Sequence, residues 1–171
     1  MKTLEDIKRV LLQRDLLKEV SGEAENRLLL MRLTCDSREV TEKTLFICKG
    51  AAFRPQYLLD AVKKGAVAYI SETKMEVPVP GLIVKDIRKA MAAASAWFWD
   101  YKVGHPTLTG ITGTKGKTTT AWYLKAMLDE WEKIRKGAET GLISTVENYD
   151  GMKHRGFMSC LQMQSIPVCV T

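Results

Sequence analysis

Gly110-Ile-Thr-Gly-Thr-Lys-Gly-Lys-Thr-Thr-Thr120 decides the fold. An apolar run precedes it and a strongly helical stretch follows, the strand–loop–helix order of a phosphate-holding turn. Glycines at 110, 113 and 116 let the backbone bend tightly, so that successive N–H groups converge on an anion. A helix starting near Lys117 adds the positive end of its dipole. Lys117 can then reach the β- and γ-phosphates of a nucleoside triphosphate, and the Thr118 hydroxyl can ligate Mg²⁺. Ile111 stands where the longer phosphate-loop pattern has its first glycine, which leaves the variant G-x-x-G-K-T. A match of that length also fits a helix C-cap followed by a basic helix start. The order of elements favours the nucleotide.

Working outward, Thr107–Thr112 reads as the strand feeding the loop, and residues 118–135 as its helix. Tyr123, Leu124, Met127, Leu128 and Trp131 form that helix's apolar face. Gly137 ends it, Gly141–Val146 is the next strand, and Asn148-Tyr-Asp-Gly151 is a hairpin-type turn. Beyond Val146 the periodicity decays, and Met158–Thr171 shows none. Upstream, 102–106 has the composition of a linker.

The first hundred residues alternate strands and helices as well. A helix is expected over 3–19, capped by Thr3 with Asp6 three residues on and striped by Leu4, Ile7, Val10, Leu11 and Leu17. Residues 21–26 form a polar turn, and Leu28–Leu33 a strand running into Thr34-Cys35-Asp36-Ser37-Arg38. Thr44–Cys48 is a strand, and Pro55 and Gly65 bracket a helix over 55–64. Strands follow at Ala66–Ile70 and Leu82–Val84, then a helix over Asp86–Tyr101 whose Trp97-Phe98-Trp99 cluster could stack on a base but fits better as an anchor to the core or a neighbouring domain. The expected architecture is α/β in two units: 1–103, and 104–171 with an aberrant tail over 152–171.

Composition narrows the function. With 171 residues, 46% hydrophobic and 27% charged, the chain is an ordinary globular one, long enough to bury a core. Its net charge of +6 suits phosphate-bearing ligands, but the Lys and Arg residues are interspersed with acids and form no basic stripe, so no nucleic-acid partner is expected. Cys35, Cys48, Cys160 and Cys169 make no C-x-x-C pair and no zinc spacing, and buried free thiols are the default for the first two. No signal-peptide core or membrane-length apolar run is present, which predicts a reduced, cytoplasmic protein without membrane insertion.

Two motifs together resemble the Mur ligase family of peptidoglycan assembly, most closely its tripeptide-synthetase branch. Ile111–Thr120 is similar to that family's T-G-T-N-G-K-T-T ATP loop, with Lys115 where Asn is usual. Asp36-Ser37-Arg38-Glu-Val40, followed by Leu45-Phe46, Lys49-Gly50 and the run from Ala61 to Ala68, resembles the N-terminal domain that holds the uridine nucleotide end of the substrate. Ala51-Ala52-Phe53-Arg54 departs from the polar, glycine-containing segment usual there. The resemblance covers roughly residues 20–150. It implies a UDP-substrate-binding domain followed by the start of a P-loop-type ATPase domain. The implied reaction is ATP-dependent amide formation: the terminal carboxylate of UDP-MurNAc-dipeptide becomes an acyl phosphate, which the amine of a diamino acid attacks.

Carried over residue by residue, Gly113, Thr114, Lys115, Gly116, Lys117, Thr118 and Thr119 would bind the ATP phosphates, with Lys117 catalytic and Thr118 on Mg²⁺. Cys35, Ser37, Arg38 and Gly50 would contact the UDP-substrate. Ser37 also fits a plain turn residue and Arg38 a surface charge. Glu147 is a weak metal candidate, and His105 and His154 fit linker and surface roles.

The family's further metal ligands, its Thr-Thr-Pro segment and its amino-acid-selecting domain have no counterpart in these residues. The chain is therefore expected to be truncated and inactive alone. If Leu161-Gln-Met-Gln164 is read from the third base of CTC-CAG-ATG-CAG, the result is Pro-Asp-Ala, a family-like tripeptide, and the odd tail then fits a frameshift. A UDP-sugar-binding remnant without catalysis and the D-Ala-D-Ala-adding Mur ligase are the alternatives. The Gly113-Thr114 pair favours the tripeptide enzyme over the latter, whose loop usually begins Gly-Ser. An unrelated P-loop regulator has no place for the Asp36-Ser37-Arg38 domain.

Overall fold

A computed structural model describes residues 2–22, 28–49, 53–99, 109–135, 140–144, 148–149 and 154–155. The chain divides into two compact units, Met1–Tyr101 and Lys102–Thr171.

The first unit is built on a five-stranded sheet in the order β1-β5-β4-β3-β2. Its strands are β1 (Leu17–Ser21), β2 (Arg32–Thr34), β3 (Thr44–Ile47), β4 (Ala66–Ser71) and β5 (Gly81–Val84). β2 to β5 run parallel, and β1 lies antiparallel on the outer edge of β5. The register sets Leu33 beside Leu45, Phe46 beside Tyr69 and Ile70 beside Leu82. Every residue of β3 and β5 is buried, which is why both read as unbroken β-branched or apolar runs rather than alternations.

On one face, α2 (Pro55–Lys63) buries Leu58 and Ala61 against Phe46, Cys48, Ala66, Tyr69 and Ile83. Val40, Met75, Val77 and Val79, which belong to loops, fill out that same core. Alternate strand residues point to opposite faces, and Leu45, Ile47, Ile70, Leu82 and Val84 are fully buried too. α1 (Leu4–Gln13) packs on α3 (Ile87–Phe98), and α3 on β4, through Leu4, Ile7, Leu11, Ala90, Ala93 and Ala94. Burial pushes the Cys48 thiol up to about 12, so it stays protonated and inert.

Thr3 opens α1 with the expected capping box. Asp6 N–H donates to Thr3 Oγ1 (3.2 Å), and Thr3 N–H donates back to Asp6 Oδ2 (3.2 Å). The Thr3 bonds hold the Asp6 carboxyl below its usual range. Thr3→Ala is expected to remove about 1 kcal/mol from the first unit. Urea denaturation reads this directly; an unmoved midpoint would mean that the box is redundant.

The helix expected over 3–19 stops early. Asp15 takes a left-handed φ of 54°, and Leu16 N–H returns to the Leu11 carbonyl (2.9 Å). The chain reverses there, so Leu17 pairs with Val84 in the sheet instead of extending the helical stripe. Ser21 likewise ends β1 rather than opening a turn. The Trp97 anchor takes a specific form: Lys2 Nζ donates to the Trp97 carbonyl (2.6 Å) and sits 5.0 Å from its ring centroid.

In the second unit α4 (Lys117–Arg135) packs against a small antiparallel sheet of β6 (Leu142–Ile143), β7 (Asn148–Tyr149) and β8 (His154–Arg155). Two expectations fail here. Residues 109–112 are not in a strand: a strand exists through its ladder to a neighbour, and no described residue pairs with them. Asn148 and Tyr149 are strand residues rather than the turn itself. The residues at 145–147, which include the Glu147 candidate, lie outside the described ones, as do Gly137, His105 and the tail from 156.

Of the expected helix face, only Leu124 and Leu128 are half-buried. Tyr123, Met127 and Trp131 are exposed, whereas Lys125 and Glu132 are buried. Lys125 is ion-paired with Asp129 and lies 4.3 Å from the Tyr149 ring centroid. Asp129 Oδ1 accepts the Thr140 N–H at 2.7 Å. These polar contacts fasten α4 to its sheet.

Candidate functional site

In an open parallel sheet the carboxyl ends of the strands form the edge where ligands are held. The loop after β2 carries Cys35, Asp36, Ser37 and Arg38, and Cys48-Lys49 follow β3 at the same edge. The β2 loop is wound by its own side chains. Asp36 N–H donates to Thr34 Oγ1 (3.1 Å), and Arg38 N–H to Asp36 Oδ1 (2.9 Å). The Arg38 guanidinium grips Asp36 in a fork, with Nε at 3.0 Å from Oδ1 and Nη2 at 2.6 Å from Oδ2. Those bonds hold the Asp36 carboxyl below the usual range and push the exposed Arg38 up.

Two partners in this loop were invisible in the sequence. Thr34 Oγ1 donates to Glu39 Oε2 (3.3 Å), and Lys64, from the end of α2, donates to the Ser37 carbonyl (2.8 Å). Lys64 is far from Ser37 along the chain, and no local pattern signals it. The loop therefore presents the Ser37 side chain from a backbone pinned on both sides. Arg38, by contrast, is engaged with Asp36, the arrangement expected of a turn-forming charge. Gly50 lies outside the described residues.

The second candidate is the loop before α4. Gly116 has a φ of 76° and Gly113 one of 153°, both costly for residues with a Cβ. Gly110 has no such constraint, and open space surrounds it. Thr120 N–H makes the first helical bond, to the Gly116 carbonyl (2.8 Å). The amides of Lys117, Thr118 and Thr119 therefore belong to a first turn, which has no intrahelical acceptors. Lys117 Nζ donates to the Gly113 carbonyl (2.6 Å), curling the ammonium back over the loop. Gly113, Thr114, Lys115, Gly116, Lys117 and Thr119 are exposed, and Thr118 is partly so. Backbone donors, a helix N-terminus and an ammonium thus lie in one short loop, a combination that suits a phosphate chain.

Magnesium fits less well. Thr118 offers one oxygen, and among the described residues no group of three His, Cys, Asp or Glu side chains could hold a metal ion. Among those residues, too, no helix is long and apolar enough to cross a membrane.

No family model matches the chain. It is 40% identical over 148 residues to the UDP-N-acetylmuramyl-tripeptide synthetase of Lactobacillus delbrueckii subsp. bulgaricus, spanning 83% of this chain and 27% of that protein. It is 48% identical over 117 residues to the UDP-N-acetylmuramoyl-L-alanyl-D-glutamate–L-lysine ligase of Enterococcus faecalis (68% of this chain, 22% of that one). A solved UDP-N-acetylmuramoyl-L-alanyl-D-glutamate–2,6-diaminopimelate ligase shares its fold with a TM-score of 0.66 at 19% identity. That match covers 97% of this chain and 32% of the other. The chain is homologous to Mur ligases of the tripeptide-synthetase type and spans about a quarter of the length of these curated relatives.

Proposed function

We propose that the chain is the substrate- and nucleotide-holding part of an ATP-dependent ligase that adds a diamino acid to UDP-MurNAc-L-Ala-D-Glu in the cytoplasm. The supporting observation is the loop Gly113–Thr119, in a chain that matches tripeptide synthetases. In this reading the first-turn amides and Lys117 hold the ATP phosphates. The Lys117 ammonium leaves the Gly113 carbonyl for a phosphate oxygen and neutralises its charge. Thr118 gives one oxygen to Mg²⁺. ATP, when bound, supplies the activation of a carboxylate. Ser37, on its pinned loop, hydrogen-bonds the uridine end of the substrate, assisted by the backbone around Cys35.

A second reading is a binding module that holds both ligands without turnover. Titration calorimetry of the whole chain with Mg-ATP, and separately with UDP-MurNAc-dipeptide, tests both. Lys117→Ala is expected to weaken ATP roughly 10- to 100-fold, the value of a charged hydrogen bond. It should leave the UDP-ligand untouched, and Ser37→Ala should do the converse. Binding of neither ligand would sink both readings.

A further inference from the structure

The turn that ends α2 grips the loop after β2 at two places. The Lys64 ammonium, 27 positions beyond Ser37 in the chain, donates to the Ser37 carbonyl at 2.8 Å. At the far end of the loop a Cβ on Gly65 would lie 2.9 Å from Glu42 Cα, so turn and loop touch backbone to backbone there. Between these points sits the peptide group joining Ser37 to Arg38. Such a group is a rigid plane, and here both of its polar ends are tied. Its N–H donates to Asp36 Oδ1 (2.9 Å), and its carbonyl accepts from Lys64. One tie would let the plane tip; two fix it, and with it the direction in which the Ser37 side chain leaves the backbone. Among the described residues no hydrogen bond engages the Ser37 hydroxyl itself.

The helix that Lys64 ends does not account for it. A cation near a helix C-terminus offsets the dipole, and Lys63 already supplies one in the last turn of α2. The Lys64 amide bonds the Asp60 and Ala61 carbonyls as the C-cap, while its ammonium turns away to Ser37. Stability does not account for it either, because Lys64 is exposed and exposed charged contacts contribute little to folding. The same ammonium lies close to Asp36. The Arg38 bond is the main cause that holds that carboxyl below its usual range, and the Lys64 charge adds to it.

We infer that Lys64 is a positioning residue for the uridine-bearing substrate, aiming the Ser37 hydroxyl at it by holding the Ser37 carbonyl. This rests on the reading of Ser37 given above. Titration calorimetry of the whole chain with UDP-MurNAc-dipeptide tests it. Lys64→Met keeps an unbranched side chain but removes the donor, and should weaken binding roughly threefold or more with the thermal midpoint unmoved. A smaller loss of affinity overturns the inference. Lys64→Arg keeps a cationic donor and should bind more tightly than Lys64→Met; equal affinities overturn it. Lys63→Met removes the same charge one position away and should bind like the parent. A loss equal to that of Lys64→Met would assign the effect to net charge and overturn the inference. In a Ser37→Ala chain the hydroxyl to be aimed is gone, so adding Lys64→Met should cost nothing further. An undiminished cost there would make Lys64 a general support of the fold, and overturns its positioning role. Normal binding by the parent and by Lys64→Met would leave the functional reading standing. A parent that binds no UDP-MurNAc-dipeptide would sink that reading and the inference together.

Discussion

Gly81→Ala is expected to lower the stability of the first unit by about 3 kcal/mol, the upper range for overpacking a core. A Cβ at Gly81 would sit 2.2 Å from Tyr69 Cζ and 2.5 Å from its hydroxyl oxygen, against a contact distance of about 3.5 Å. The ring has nowhere to go. Tyr69 is fully buried, its hydroxyl accepts the Met75 N–H (3.0 Å), and it donates to the Met75 carbonyl (3.3 Å). Displacing the ring breaks both bonds inside the core and strands their polar partners. Thermal denaturation should register a fall of roughly 15 °C. Tyr69→Leu in the same chain removes the clash and should recover part of the loss. A midpoint within two or so degrees of the parent's for Gly81→Ala alone would refute this packing.

The second large effect belongs to the other unit. Lys125→Ala leaves the Asp129 carboxylate mostly buried without its cation and removes the ammonium from the Tyr149 ring. Breaking one side of such a pair costs about 3 kcal/mol, whereas replacing both sides with apolar groups is often neutral. Lys125→Met/Asp129→Leu should therefore be clearly more stable than Lys125→Ala. Hydrogen exchange across α4 measures the difference, and equal protection in the two variants would contradict the pair's role.

The same site sets an acid limit. Burial pushes the Asp129 carboxyl up, but the hydrogen bonds from Lys125 and Thr140 outweigh it, and the folded value lies below the ordinary one. Its contribution is complete above the unfolded pKa of about 4 and fades as pH falls through the folded value. Asp129→Asn should lose the protection at neutral pH and flatten its dependence below pH 4 or so.

Much of the first unit was legible because its signals are local. Pro55 and Gly65 bracket α2, and the apolar runs of β3, β4 and β5 fall within a residue or two of the observed strands. What failed depended on partners. The end of α1 is decided by Asp15 and by the pairing of Leu17 with Val84, which no helical period contains. The burial of Lys125 on α4 is decided by an ion pair and by Tyr149, so counting apolar residues found the half-buried Leu124 and Leu128 but not the polar contacts. At the candidate sites the Asp36–Arg38 loop and the glycine loop stood out by composition, while the Lys64 support for Ser37 came from another element.

The loops that complete the α2-side core also bear on how the first unit reaches its native state. Parallel strands are ordinarily joined through a helix, yet β2 reaches β3 through residues 35–43 alone, and β4 reaches β5 through 72–80. The entropy of closing a loop grows with its length, so these two parallel pairings are closed by short chain segments. Val40 and Met75 bring apolar contacts to the core as the loops close. Among the parallel pairings, β3–β4 must wait for a longer excursion through α2. The antiparallel pairing of β1 with β5, from Leu17 to Val84, closes the longest loop of the sheet, so the parallel strands are expected to pair before β1 docks on their edge.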